Sequence, residues 1–502
     1  MGTDAVTSHV DVLIIGAGIS GLSAAWHVQK HCPDKSYAIL EQRAQIGGTW
    51  DLFRYPGIRS DSDMYTLGYR FKPWTHEKAI ASGDAILSYL NETADENDIR
   101  QYINFNREVL TMHWSSEEAR WHVSAHNSET GTTENYTCSF VSVCAGYYNY
   151  KAGYTPEFEG RAEFQGDIIH PQHWPEGLDY SGKRVVVIGS GATAVTLIPS
   201  MADKAAHITM LQRSPSYVVS RPAEDKIAQA MMKVLPASWV YTLIRWRNVL
   251  LQMYMFRSAR KNPQKARDFV LDLLEEDLPG GYDIERHFTP SYDPWDQRLC
   301  LVPDSDLFKA ISNGSASVVT DHIDRFTPEG IRLKSGEMLP ADIIVTATGL
   351  DLHNFGGARV FVDDREINSG DVMTYKGMMY SDVPNMSATF GYTNASWTLK
   401  ADLTSEYMCR ILNHMDKADV KICMPRLTDP TITPEPVVDF SSGYFKRAEH
   451  KMPKQGSTKP WRLNQNYALD ILEMRFGKVD DGVLEFSNSL KNDENISTIA
   501  AE

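Results

Sequence analysis

Two glycine-rich turns of one design constrain this chain more than any other feature. Gly16-Ala17-Gly18-Ile19-Ser20-Gly21 follows an apolar, β-branched run at 11–15 and leads into a helical stretch at 22–30; a second β run at 37–40 then ends at Glu41. Gly189-Ser190-Gly191-Ala192-Thr193-Ala194 has the same setting, with a strand at 184–188 before it, a helix at 195–201 and a strand at 208–211 after it. Strand, tight turn, helix and strand within about thirty residues make a βαβ unit, and that context gives the glycine spacing its weight. Gly16 permits the turn, Gly18 lets backbone approach a pyrophosphate, and Gly21 lets helix and strand pack closely. The first N–H groups of the helix face the phosphates. Glu41 can accept hydrogen bonds from both hydroxyls of an adenosine ribose. The second unit ends instead in Gln212-Arg213-Ser214. A carboxylate there would repel a 2′-phosphate, whereas Arg213 pairs with one. Two such units in one chain can hold a flavin and a nicotinamide together, with NADPH rather than NADH at the second.

A chain of 502 residues is too long for one compact core, so two or three domains are expected. Its formal net charge of −15 offers no basic field to nucleic-acid phosphates, which excludes that class of partner. The six cysteines are irregularly spaced with no Cys-x-x-Cys pair, so neither a zinc ribbon nor a dithiol centre is supported. A reducing cytosol fits, and the polar start has no signal-peptide stretch.

From about 222 to 290 the α/β pattern is interrupted. Residues 226–235 and 238–261 read as helices separated by Pro236. The stretch 239–256 is apolar but carries Arg245, Arg247 and Asn248, too much polarity for a transmembrane span. Two readings stand: a helical insertion packed on the nucleotide domain, which we favour, and an interfacial helix making peripheral contact with membrane. Residues 341–347 return to a strand, followed by Thr348-Gly349-Leu350-Asp351.

Between the two units lies Phe164, Gly166, His170, Trp174 and Pro175, a Phe-x-Gly-x-x-x-His-x-x-x-Trp-Pro string. A second signature, Gly47-Gly48-Thr49-Trp50, Tyr55-Pro56-Gly57 and Asp61, follows the first unit. Together they resemble the type I Baeyer–Villiger monooxygenases, and the resemblance runs to about residue 485, through 169–179, 187–196, 293–303, 391–402 and 454–467. It implies an α/β chain with two Rossmann-like dinucleotide-binding domains: a discontinuous FAD domain at 1–155 and 341–490, an NADPH domain at 156–340 carrying the helical insertion, and a disordered tail at 491–502. It further implies that Gly48, Thr49, Trp50, Asp61, Tyr65 and Val109 join Gly16, Gly18, Gly21 and Glu41 around FAD. Thr193, Ser214 and Gln297 then join Gly189, Gly191 and Arg213 around NADPH. In Asp293-Pro294-Trp295-Asp296-Gln297-Arg298, Arg298 matches the family's active-site arginine. Many members have lysine before that arginine; Gln297 here leaves more of the 2′-phosphate recognition to Arg213. Cys144-Ala145-Gly146 also departs from the usual Ala-Thr-Gly, which Ala347-Thr348-Gly349 keeps.

The activity so implied is cytoplasmic, FAD- and NADPH-dependent insertion of one oxygen atom from O2 into ketones through a C4a-peroxyflavin, giving esters or lactones. Oxygenation of thioethers or thioamides belongs to the same chemistry. Negative charge develops on the peroxide and then on the carbonyl adduct. A guanidinium stabilises both without acting as an acid, which is the role expected of Arg298, with Asp61 holding its fork. His170 is read as locking the connector between the domains rather than as a base. Trp397 is read as lining the substrate pocket or packing in the core, at a helix start aimed at the flavin. The alternatives are a flavin monooxygenase acting chiefly on sulfur or nitrogen, and an NADPH oxidase without oxygen transfer.

Overall fold

The computed structural model describes residues 8–297, 299–438 and 442–489. Arg298 and the expected tail at 491–502 lie outside the described residues. The first sheet begins with Ser8–Ile15, paired in parallel with Tyr37–Leu40 on one side and Thr132–Val143 on the other. Helix α1 (Ile19–His31) crosses between the first two, as the βαβ reading expects. The twelve-residue strand Thr132–Val143 serves two layers. Its C-terminal half continues the parallel sheet to Met386–Ala388, and its N-terminal half closes an antiparallel meander with Arg120–Asn127 and Arg107–Ser115. The alternating burial of Arg120–Asn127 shows why it runs as a strand with one packed face. Arg359–Val362 and Arg365–Ile367 extend the meander edge, so the chain returns to this sheet after crossing the second domain.

The second sheet is all parallel among the described residues, in the order Ala316–Thr320, His207–Gln212, Arg184–Ile188, Ile343–Thr346, Asp167–Ile169. Its central strands are apolar and buried over Val185–Ile188 and Ile343–Val345, as strands covered on both faces must be. Helix α2 (Ala192–Met201) follows its glycine turn. One expected boundary shifts. Residues 341–347 were placed at the start of the returning FAD domain, but Ile343–Thr346 pairs with Arg184–Ile188 and Asp167–Ile169. An apolar four-residue strand goes where a buried slot is open, and the strand pattern alone does not say which sheet offers it.

The insertion folds as helices: Lys226–Met232, then α3 (Ala237–Lys261) and α4 (Pro263–Asp277). Pro236, which has no N–H, stands at the N-cap of α3. α3 docks on the first domain rather than on the nucleotide domain that precedes it in sequence: Val240, Tyr241, Ile244 and Val249 belong to the first hydrophobic core. Among the described residues no helix is long and apolar enough to cross a membrane. Helix α5 (Trp397–Ala418) completes the first domain and is tied to α1 by the Ser23 hydroxyl, which donates to Asp402 Oδ1 at 2.7 Å.

Candidate active site

The first turn is built to the tolerance of a missing Cβ. Gly16 has φ +103°, and a Cβ on it would sit 2.8 Å from the Cys144 carbonyl oxygen; one on Gly21 would sit 1.8 Å from the carbonyl oxygen of Gly16. At Gly18 the nearest atom would be the Cα of Gly48 at 3.6 Å, so this glycine fronts open space. Gly18 is also the N-cap of α1 and no side chain caps the helix there, which leaves N–H groups facing that space. Glu41 is buried at the end of its strand, accepting from the Ala17 N–H (2.6 Å, Oε2) and the Arg43 N–H (2.9 Å, Oε1). Burial pushes its carboxyl up, and the two backbone donors oppose the shift. Gly48, at φ +57°, packs beside Gly18 and under the Tyr150 hydroxyl.

The second turn repeats the device. Gly189 has φ +137°, with a would-be Cβ 2.3 Å from the Ala347 carbonyl oxygen, while Gly191 would meet nothing within 4 Å. Gly191 N-caps α2 with no side-chain cap, so its N–H groups also face open space. Arg213 and Ser214 are exposed at the strand end, and Arg213 has no ion pair among the described residues. The residues at both turns therefore fit a pyrophosphate at a helix N-terminus.

Both turns open on one cleft of about 940 Å³. Its wall includes Gly16, Gly18, Glu41, Gly48, Thr49, Trp50, Asp61 and Val109 from the first domain, and Gly189, Gly191, Thr193, Arg213, Ser214 and Gln297 from the second. Gly21 lies behind the wall, as its packing role requires. Tyr65 is the exception. Its side chain is fully buried away from the cleft, its ring centroid 5.9 Å from that of Tyr241, and burial raises its phenol to about 12. It is the second residue of a one-turn helix, Met64–Leu67, and that turn faces it into the core. Gln297 stands on the cleft wall. Asp61 stands on the same wall.

Several contacts were not read from the sequence. The Tyr55-Pro56-Gly57 turn joins the domains: the Tyr55 phenol lies beside Thr193, and Gly57 approaches α2 so closely that a Cβ would fall 1.8 Å from the Ser200 hydroxyl oxygen. Arg59 pairs with Asp306 across the same junction. Buried Asp51 holds both Arg43, at 2.6 Å, and Arg54, fixing the turn of helix that follows Gly48. The Trp397 indole N–H donates to the Ser20 hydroxyl at 2.8 Å, and its ring lies 5.4 Å from Tyr147 on the cleft wall. It therefore both lines the cleft and ties α5 to α1.

The five-residue string is also explained locally. Phe164 packs against Phe326, and Gly166 passes the Asp342 carbonyl where a Cβ would come within 2.2 Å. Trp174 packs on the second core. The two chain crossings between domains form a ribbon, Tyr148–Gly153 antiparallel to Leu350–Leu352. His170 is wedged against it: Nδ1 accepts from the Gln172 N–H at 3.2 Å, and Nε2 lies 3.3 Å from the Gly349 carbonyl oxygen. With Nδ1 an acceptor, the proton sits on Nε2 and is donated to Gly349. Burial holds this imidazole below its ordinary pKa.

The comparisons with known proteins agree with this construction. Residues 74–265 match the flavin-binding monooxygenase-like family and residues 14–73 an NAD(P)-binding Rossmann-like domain. The chain is 55% identical over 485 residues to the FAD-containing monooxygenase EthA of Mycobacterium tuberculosis, covering 96% of this chain and 98% of the relative. It is 47% identical to a probable FAD-binding monooxygenase, AlmA, of Acinetobacter baylyi, over 95% of this chain and 96% of that one. Among solved structures, an oxidized steroid monooxygenase bound to NADP superimposes with a TM-score of 0.75 at 21% identity, covering 96% of this chain and all (100%) of that one. The cyclohexanone monooxygenase of Rhodococcus sp. Phi1 bound to NADP+ gives 0.74 at 20%, with the same coverage. With two paired nucleotide turns on one cleft and relatives this similar along nearly its full length, the chain belongs to the FAD-containing, flavin-binding monooxygenase-like enzymes.

Proposed function

We propose that this chain is a Baeyer–Villiger monooxygenase that uses FAD, NADPH and O2 to convert ketones to esters or lactones and to oxygenate thioethers or thioamides. The observation that carries the reading is the convergence of both glycine turns, Glu41, Asp61 and the Gln297 segment on a single cleft. Glu41 and the α1 N-terminus hold the flavin dinucleotide; the α2 N-terminus and Arg213 hold NADPH by its pyrophosphate and 2′-phosphate. Bound FAD, reduced by NADPH, supplies the activated oxygen. Arg298 is assigned to stabilise negative charge that develops on oxygen beside the substrate carbonyl, and Asp61 to orient its fork. Trp397 and Tyr147 shape the apolar wall against which a substrate packs. Buried thiols at all six cysteines suit a reducing compartment.

A panel of small ketones and sulfides, with NADPH consumption and product mass spectrometry read together, tests the assignment. Esters are expected from ketones. Sulfoxides alone would shift the reading to a sulfur- or nitrogen-oxygenating enzyme, and hydrogen peroxide alone to an oxidase. Arg298→Ala should fold and retain FAD yet form ester roughly 10²–10³-fold more slowly, since losing one preorganised donor costs about 3–4 kcal/mol of barrier. Asp61→Ala should lose less, and the double variant little more than Arg298→Ala alone. Additive losses would break the pairing.

A further inference from the structure

Helix α3 is apolar on two sides, and only one of them is covered. Opposite the buried face, Trp239, Leu243, Trp246, Leu250 and Tyr254 recur every three or four residues and so share one side of the helix. They are 65%, 52%, 40%, 55% and 70% exposed. Before Pro236, the helix Lys226–Met232 exposes Ile227 and the turn after it exposes Val234, 58% and 80% respectively. Beside Trp246, whose ring lies 5.9 Å from that of Tyr467, the segment after Tyr467–Ile471 exposes Leu472 and Phe476. A contiguous apolar face on this scale marks a contact surface.

The charges on and beside this face choose the occupant. The chain carries a net −15, yet the 25 residues of α3 contain no aspartate or glutamate. The stripe's spacing continues into Arg257 and Lys261, and Lys226 and Lys233 stand at its other end, all four exposed. Apolar and aromatic side chains between basic ends, with stems that reach outward to headgroups, are the pattern of a helix lying in a lipid interface. A second copy fits worse. Antiparallel pairing of two α3 stripes would set Lys233 against Arg257 and Lys261, and the stripe has no acid to answer them.

We propose that this face of α3 seats the enzyme on an anionic lipid surface, with the helix in the plane of the interface. The inner side of α3 keeps the protein's grip on the helix: the buried Arg245 guanidinium donates to the carbonyls of Tyr65 (2.8 Å) and Gly68 (2.7 Å). The proposal does not depend on which substrate is oxygenated, and its test uses no turnover.

The holoenzyme is sedimented with vesicles of phosphatidylcholine, with and without phosphatidylglycerol. Association is expected with the anionic vesicles, falling about tenfold or more without phosphatidylglycerol or at high salt. Leu243→Glu combined with Leu250→Glu should abolish it while FAD content and melting temperature stay at wild-type values, because both side chains are exposed. Arg257→Glu combined with Lys261→Glu should remove the preference for anionic lipid. Quenching of tryptophan fluorescence by brominated lipid, expected for the wild type, provides a reading that needs no variant. Absence of wild-type association and quenching, or undiminished association of the leucine variant, overturns the proposal. So does a concentration-dependent dimer in lipid-free solution that Leu243→Glu dissolves, which would make the occupant a second copy.

Discussion

A missing methyl does different work at glycines of the two nucleotide turns. Gly21 is held by backbone: its would-be Cβ lies 1.8 Å from the Gly16 carbonyl oxygen, with no flexible side chain to yield. Gly21→Ala should therefore cost the first domain its fold or its FAD, seen as colourless or aggregated protein. Gly191 has an ordinary backbone conformation and nothing within 4 Å. Gly191→Ala should fold, stay yellow and raise the NADPH Michaelis constant, because the new methyl occupies the space reserved for phosphate; an unchanged constant would place the pyrophosphate elsewhere. Arg213→Ala should weaken NADPH by about 10- to 100-fold, the worth of a charge-assisted contact of about 1.5–3 kcal/mol, and leave NADH nearly unaffected. Equal losses for both coenzymes would mean a structural role. At this scale most of the cleft wall was legible, because glycine turns and strand-end residues are fixed by local geometry. Tyr65 was not: its exposure depends on the phase of one helical turn and on which helix covers it. The Tyr55–Thr193 and Arg59–Asp306 contacts join residues far apart in sequence, and no local pattern encodes such pairs.

Among elements, α3 is the unexpected one. Its helicity was legible from composition and from Pro236, but its docking was not, since both of its sides are apolar and only the tertiary fold chooses between them. The antiparallel meander at 107–143 likewise carries no motif that announces it in the sequence. Arg245 records the docking choice. Its guanidinium is buried, donates to the carbonyls at the end of Met64–Leu67 and lies 3.8 Å from Asp402 on α5, so one side chain joins three elements. Burial would raise the Asp402 carboxyl, but His27, Arg245 and Ser23 overcome it and hold it below the ordinary 3.8. A depressed carboxylate contributes stability that is complete above 3.8 and is lost as pH falls through the lowered value. Arg245→Met should leave the Tyr65 and Gly68 carbonyls without their donor and buried Asp402 without its neighbouring guanidinium charge, at a cost of about 3–5 kcal/mol. Chemical denaturation should show this loss near neutral pH, and a smaller one once the pH has fallen through the lowered Asp402 value, where the protonated carboxyl no longer needs the partner. A loss independent of pH would reduce Arg245 to a packing residue.

For the whole molecule, the decisive geometry is how two domains are held over one cleft by two chain crossings. The crossings pair as a ribbon, and His170 stands where Gly153 and Gly349 meet it. A Cβ on Gly153 would lie 2.0 Å from the imidazole, and both ring nitrogens are already engaged. An imidazole so placed has no lone pair to offer a substrate proton, so its work is to fix the angle between the domains. If that is right, His170→Ala should keep FAD and still consume NADPH, but the ratio of oxygenated product to NADPH consumed should fall, because coenzyme and flavin sites are no longer held in register. Gly153→Ala should produce the same uncoupling by pushing the ring aside. In the His170→Ala background the added methyl has no ring to displace, so the double variant should be no worse than His170→Ala. The pH dependence has a definite sign. The neutral ring is the form the fold favours, so its contribution is complete above the ordinary 6.5 and shrinks as pH falls through the lowered value. Coupling in the wild type should decline over that range and in His170→Ala should be flat. A general base would instead slow product formation and coenzyme use together, with the stoichiometry intact, and that pattern would return His170 to the chemistry.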